Sequence, residues 1–89
     1  MFTPAERKAL KGRAHKLNPV VIVGSKKGLT DEVVAEIERA LKAHELIKIR
    51  AEADRDAREV FLQAICERTG AGAVQHIGKI LVIYRKNDE

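Results

Sequence analysis

Eighty-nine residues suit one domain, residues 1–89, and leave no room for a second. At 45% hydrophobic and 34% charged, the composition is that of a globular domain, and no apolar run approaches the roughly 18 residues of a membrane span. The net charge of +4 is unevenly spread: +6 in residues 1–28, −3 in residues 29–69 and +1 in residues 70–89. That asymmetry fits either a polyanionic partner or a solvated basic face. The opening "MFTPAERKALKGR" has no signal-peptide apolar core, and the single Cys66 excludes an internal disulfide. A reducing, cytoplasmic setting is the expectation.

Thr3, Pro4 and Glu6 announce a first helix: N-cap, first helical position and capping box. It is predicted to reach about Lys16, with Leu10, Ala14 and Leu17 on its apolar stripe. Arg7, Lys8, Lys11 and His15 occupy the adjoining arc. So thin a stripe packs on a domain and does not insert into a membrane. Asn18-Pro19 then breaks the helix. Val20–Val23 is uniformly apolar and β-branched, which predicts a strand covered on both faces.

The loop "GSKKG", residues 24–28, follows that strand and leads to a second helix capped by Thr30. Asp31 and Glu32 lie in its first turn; Val33, Val34, Ile37, Ala40 and Leu41 form its buried stripe. In "ELIKIRAEA", Leu46, Lys48 and Arg50 alternate with Ile47, Ile49 and Ala51, the pattern of a half-exposed strand. Asp54 caps a third helix with a predicted stripe of Ala57, Val60, Phe61, Ala64 and Ile65, ended by Gly70. "AVQHIGKILVIYR" reads as a hairpin turning at Gly78-Lys79, where a type II′ turn wants glycine first. The expected fold is α/β: α-β-α-β-α-β-β, a four-stranded mixed sheet with three helices. A first helix returning antiparallel along the first strand would carry Arg7, Lys8 and Lys11 toward the loop.

Several chemistries fail on spacing. A nucleotide-binding P-loop needs lysine after its second glycine, and here Leu29 follows Gly28. His15, His44 and His76 lie on different elements without metal-ligand spacing, so no metal is expected. Cys66 reads as a packing residue, and Glu36 and Glu38, two apart on a helix, do not face each other. No catalytic constellation emerges, and no cofactor or small-molecule substrate is expected. What remains is a backbone clamp: two glycines permit close approach of a phosphate, and Lys26 and Lys27 supply charge. Phe2, Phe61 and Tyr84 are too few for an aromatic base-stacking platform, so contact with backbone and shape is expected.

"LKGRAHKLNPVVIVG", "GLTDEVVAEIERALKAHELIKI" and "TGAGAVQHIGKILVIYR" closely resemble the CRM domain (chloroplast RNA splicing and ribosome maturation), in its single-domain bacterial YhbY-type form. The resemblance implies a fold similar to the C-terminal domain of translation initiation factor three. It implies RNA binding and a role in assembly of the large ribosomal subunit, with its precursor RNA as partner. Carried to matching positions, the RNA-binding loop would be Gly24, Ser25, Lys26, Lys27 and Gly28, with Lys11, His15, Gly78, Lys79 and Arg85 also matching the family motif; Gly78 reads more simply as a turn glycine, and Lys8 joins the set from the basic arc of the first helix. The family loop holds two residues between its glycines, whereas "GSKKG" holds three: either Gly24 keeps its role in a loop one residue longer, or Ser25 takes the first glycine's place. The alternative is a ribosome-associated protein-interaction module using the acidic second-helix surface, Asp31, Glu32, Glu36 and Glu38.

Overall fold

The Thr3 hydroxyl accepts the Glu6 amide at 3.1 Å, and the Glu6 carboxylate accepts the Thr3 amide at 2.8 Å. This reciprocal cap, with Pro4 behind it, starts α1 (Pro4–Ala14), which ends two residues earlier than expected. The computed structural model describes residues 2–87. After α1 come β1 (Pro19–Val23), α2 (Asp31–His44), β2 (Leu46–Ala51), α3 (Arg55–Thr69), β3 (Gly72–Ile77) and β4 (Ile80–Tyr84). Thr30 and Asp54 cap α2 and α3 through the amides of Val33 and Ala57, at 3.2 and 2.8 Å. Gly70 closes α3 at φ +76°, a left-handed position that glycine adopts without strain.

The four strands form one sheet in the order β1-β2-β4-β3. β1 and β2 are parallel, and β4 is antiparallel to both β2 and β3. Alternation along each strand sends Val21, Val23, Ile47, Ile49, Leu81 and Ile83 to one face. There Ile37 and Leu41 of α2 and Leu62 and Ile65 of α3 complete the main core. On the opposite face, Leu10 and Ala14 of α1 pack on Leu46, Val74 and Val82. No helix among the described residues is long and apolar enough to cross a membrane.

Three expectations are corrected. α1 does not run back along β1; it crosses β3, β4 and β2. Its start is fixed where Phe2 stacks edge-on against Tyr84, with ring centroids 5.8 Å apart. Consequently β1 is covered on one face only: Val21 and Val23 are buried, while Val20 and Ile22 are 50% and 62% exposed. The buried stripe of α3 is turned by about one residue, roughly 100°, toward Leu62, Ile65 and Thr69, leaving Val60 63% exposed. Thr69 enters the core because its hydroxyl donates to the Ile65 carbonyl at 2.7 Å and accepts the Ala71 amide at 3.2 Å.

Two glycines give opposite predictions. Gly78 opens the β3–β4 turn at φ +55° with open space where a Cβ would stand. Gly78→Val should therefore destabilise by more than about 1 kcal/mol through backbone strain alone. Gly12 lies exposed within α1, also with nothing near its missing Cβ. Gly12→Ala should stabilise by up to about 1 kcal/mol. Urea denaturation midpoints of the two variants should move in opposite directions.

Candidate nucleic-acid interface

The "GSKKG" loop leaves the end of β1 and closes on itself. The Gly28 amide donates to the Gly24 carbonyl at 3.0 Å, and Gly28 sits at φ +63°. A five-residue turn of this kind places Ser25, Lys26 and Lys27 at an exposed tip. Among the described residues their amides meet no backbone carbonyl, so they remain available to an anion. The Phe61 ring forms a floor beneath the loop; a Cβ on Gly28 would stand 3.5 Å from it. All five loop residues, Lys26 and Lys27 included, line a hollow of about 380 Å³ whose α2 wall carries Glu32 and Glu36. Those carboxylates repel phosphate and offset part of the lysine charge there.

On the sheet face opposite α2, α1 presents two flanks about the buried Leu10–Ala14 line. Arg13 marks one flank, with its guanidinium 6.0 Å from the centre of the Tyr84 ring. Tyr84 pairs with Leu46 and Gly72 at the end of the sheet far from the loop. At 100° per residue, Lys11 and His15 project from the opposite flank, toward the half of the sheet that leads to the loop. Lys8 lies next to them on the outer surface, and all three are exposed. The helix cluster and the loop cluster thus do not touch. The helix cluster borders the open half of the α1 face, and the loop leaves the end of β1, the edge strand of that half.

Between them stand cations that sequence reasoning passed over. Lys48 and Arg50 of β2 point to the open face, as their alternation with buried Ile47 and Ile49 requires. The alternation was readable; that α1 would leave this half uncovered was not. Glu52 pairs with Arg50 and, at 3.2 Å, with the Lys79 ammonium. Lys79 therefore lies at this end of the sheet, but with a partner. Arg85 is at the other end, half withdrawn from solvent. Its guanidinium donates to Glu38 Oε1 and to the Thr69 carbonyl, both at 2.8 Å. These bonds tie the chain after β4 to α2 and α3, which gives Arg85 a structural task in place of an exposed one. The acidic α2 surface is likewise partly consumed, because Asp31 pairs with Arg68 at 2.8 Å and Glu38 with Arg85.

Other chemistry finds little support in the geometry. No group of three or more metal-ligating side chains occurs among the described residues. Cys66 packs against the main core, where burial pushes its thiol up from the ordinary value. His76 accepts from Arg58 Nε at 3.0 Å, so its Nδ1–H donates to Glu59 at 2.6 Å and the ring joins β3 to α3.

Fold and loop together define a class: a four-stranded α/β domain that presents a glycine-bounded basic loop at the end of an edge strand. The chain belongs to the CRS1 / YhbY (CRM) domain family, whose model matches residues 2–85. It is 52% identical over 85 residues to a Haemophilus influenzae protein named "RNA-binding protein", covering 94% of this chain and 85% of that one. A Bacillus subtilis protein, "Probable RNA-binding protein YqeI", is 33% identical over 91 residues, covering 100% and 93%. The solution structure of a hypothetical protein from Staphylococcus aureus superposes with a TM-score of 0.86 at 29% identity, covering 100% of this chain and 93% of that one.

The Glu52 bridge can be read by titration. Hydrogen bonds from Arg50 first, then from Lys79, hold its carboxyl below the ordinary 4.5. Arg50→Ala should move the Glu52 carboxyl back up toward 4.5, followed by the carboxyl carbon shift in NMR. In the intact protein the bridge is present at neutral pH and is lost only as pH falls through the lowered value.

Proposed function

We propose that this domain binds structured RNA through the Gly24–Gly28 loop and the Lys8, Lys11 and His15 flank of α1. One observation carries the reading. Every ion pair among the described residues joins side chains between Asp31 and Arg85. Arg7, Lys8, Lys11, Arg13, Lys16, Lys26 and Lys27 have no carboxylate partner among the described residues. Of the ten lysines and arginines from residue 29 onward, Arg50, Arg68, Lys79 and Arg85 are paired in this way, against none of the seven in residues 1–28. Such charges suit a phosphate backbone, whose counterions they displace. The names of the Haemophilus influenzae and Bacillus subtilis relatives support the same partner.

The finer reading follows from the family resemblance: a cytoplasmic, non-enzymatic protein acting in assembly of the large ribosomal subunit. The RNA is then the precursor ribosomal RNA of that subunit. Gly24 and Gly28 shape the loop, Ser25 and the two lysines meet phosphate, and α1 extends the contact along the strand.

Lys26→Ala/Lys27→Ala should weaken binding to a folded ribosomal RNA fragment and lower the salt slope by roughly 0.7–0.9 for each phosphate no longer neutralised. Folding should be unchanged, since both side chains are exposed on a loop. Lys8→Ala/Lys11→Ala should weaken binding as well, with a footprint on the same RNA segment. Wild-type affinity and slope in the loop variant would reduce the loop to a connector; normal binding by the helix variant would remove α1 from the interface.

A further inference from the structure

The half of the sheet left open by α1 carries a row that crosses all four strands. Register places Ile22 of β1 beside Arg50 of β2, Arg50 beside Ile80 of β4, and Ile80 beside Ile77 of β3. Ile22 is 62% and Ile77 58% exposed, with Val20 exposed on the same face, while Ile80 between them is partly buried against the α1 core. Single exposed aliphatic residues are ordinary, but these share one surface. Cations frame it: Lys11 and His15 of α1 on one side, Lys48 and Arg50 within it, and Lys26, Lys27 and Lys79 toward the loop end.

An apolar floor inside a basic frame discriminates between partners. Duplex RNA offers phosphate and ribose outward and keeps its base faces stacked within, so it has no use for the floor. An acidic protein surface would answer the charge but not the isoleucines. An unpaired strand offers both phosphates and free base faces. We propose that the open half-sheet seats an unpaired segment of RNA, its bases lying on Ile22, Ile80 and Ile77. Its phosphates are then held by Lys11, Lys48 and the loop lysines.

Three inter-strand steps of about 4.8 Å span roughly 14 Å, the width on which RRM sheets seat two or three bases. Here the floor is aliphatic. It attracts base faces by dispersion and area burial without the stacking of an aromatic ring. Arg50 adds a planar guanidinium within the row, its Nε held by Glu52. This inference rests on the RNA-binding reading and narrows it from backbone contact to contact with unpaired bases.

The test uses the full chain with Ile22→Ala/Ile77→Ala, two exposed positions whose truncation leaves both cores intact. Three probes are compared: a single strand of roughly 12 nucleotides, a hairpin carrying that sequence in its loop, and the fully paired duplex. The double variant should lose about three- to tenfold in affinity for the first two, with an unchanged salt slope because every phosphate keeps its cation. Duplex binding should stay at the wild-type level. Lys26→Ala/Lys27→Ala, by contrast, should weaken all three with a flatter slope. Wild-type affinity of the isoleucine variant for every probe would overturn the inference while leaving RNA binding intact. So would a wild-type protein that prefers the duplex, or an isoleucine variant whose only change is lost self-association in sedimentation. Failure of the wild-type protein to bind any probe would overturn the RNA-binding reading itself.

Discussion

The narrow apolar stripe of α1 is the constraint on which the functional surface depends. Only Leu10 and Ala14 are buried along the helix, with Phe2 and Tyr84 packed at its margin. A helix about 10 Å across cannot roof strands of five or six residues, roughly 17–20 Å long, when it crosses them. It covers Leu46, Val74 and Val82, with Ile80 and Tyr84 packed at the edge of that cluster. On the opposite face two helices, α2 and α3, bury the full sheet. The asymmetry leaves half of one face uncovered, and that half adjoins the loop with the greatest local excess of lysine.

Charge pairing reinforces the division. Arg68, Arg85, Arg50 and Lys79 all close onto carboxylates of α2 or of the β2–α3 connection. Surface pairs of this kind add little stability, yet they cancel local potential. The cations of α1 and of the loop have no such partners among the described residues, so their field is not cancelled locally. Glu32 and Glu36 bound that field on the α2 side of the loop.

Features legible in the sequence were those determined locally. Thr3 with Glu6, Thr30, Asp54 and Gly70 each act within a turn of their own helix, and Gly78 within its own hairpin. The path of α1 was not legible, because it is set by Phe2 and Leu10 meeting residues of β3, β4 and β2 far along the chain. From that miss follow the others about β1: a run of four apolar β-branched residues looks doubly covered until the cover is located. The α3 stripe erred for a related reason. Ala57 and Ala64 are too small to fix a face, and Thr69, polar by type, is buried by bonds to Ile65 and Ala71. Of the candidate site, the loop and the α1 cations were legible as motifs. Lys48 and Arg50 were visible only as the polar half of an alternation.

The third residue between the glycines finds its account in the loop's closure. A two-residue spacing closes naturally through an i→i+3 turn, whereas Gly24 to Gly28 closes through i→i+4. Gly24 thus supplies the closing carbonyl and Gly28 the left-handed position, with Ser25, Lys26 and Lys27 between them at the tip. The Phe61 ring beneath Gly28 fixes this turn against α3, which is itself packed on the sheet by Leu62 and Ile65. The tip lysines keep their side-chain freedom while the backbone beneath them is held. Binding a phosphate there orders side chains and leaves the backbone as it is, which limits the entropic cost of the contact. Because β1 ends in the loop and also carries Val20 and Ile22, the tip and the open half-sheet are held in one fixed relation.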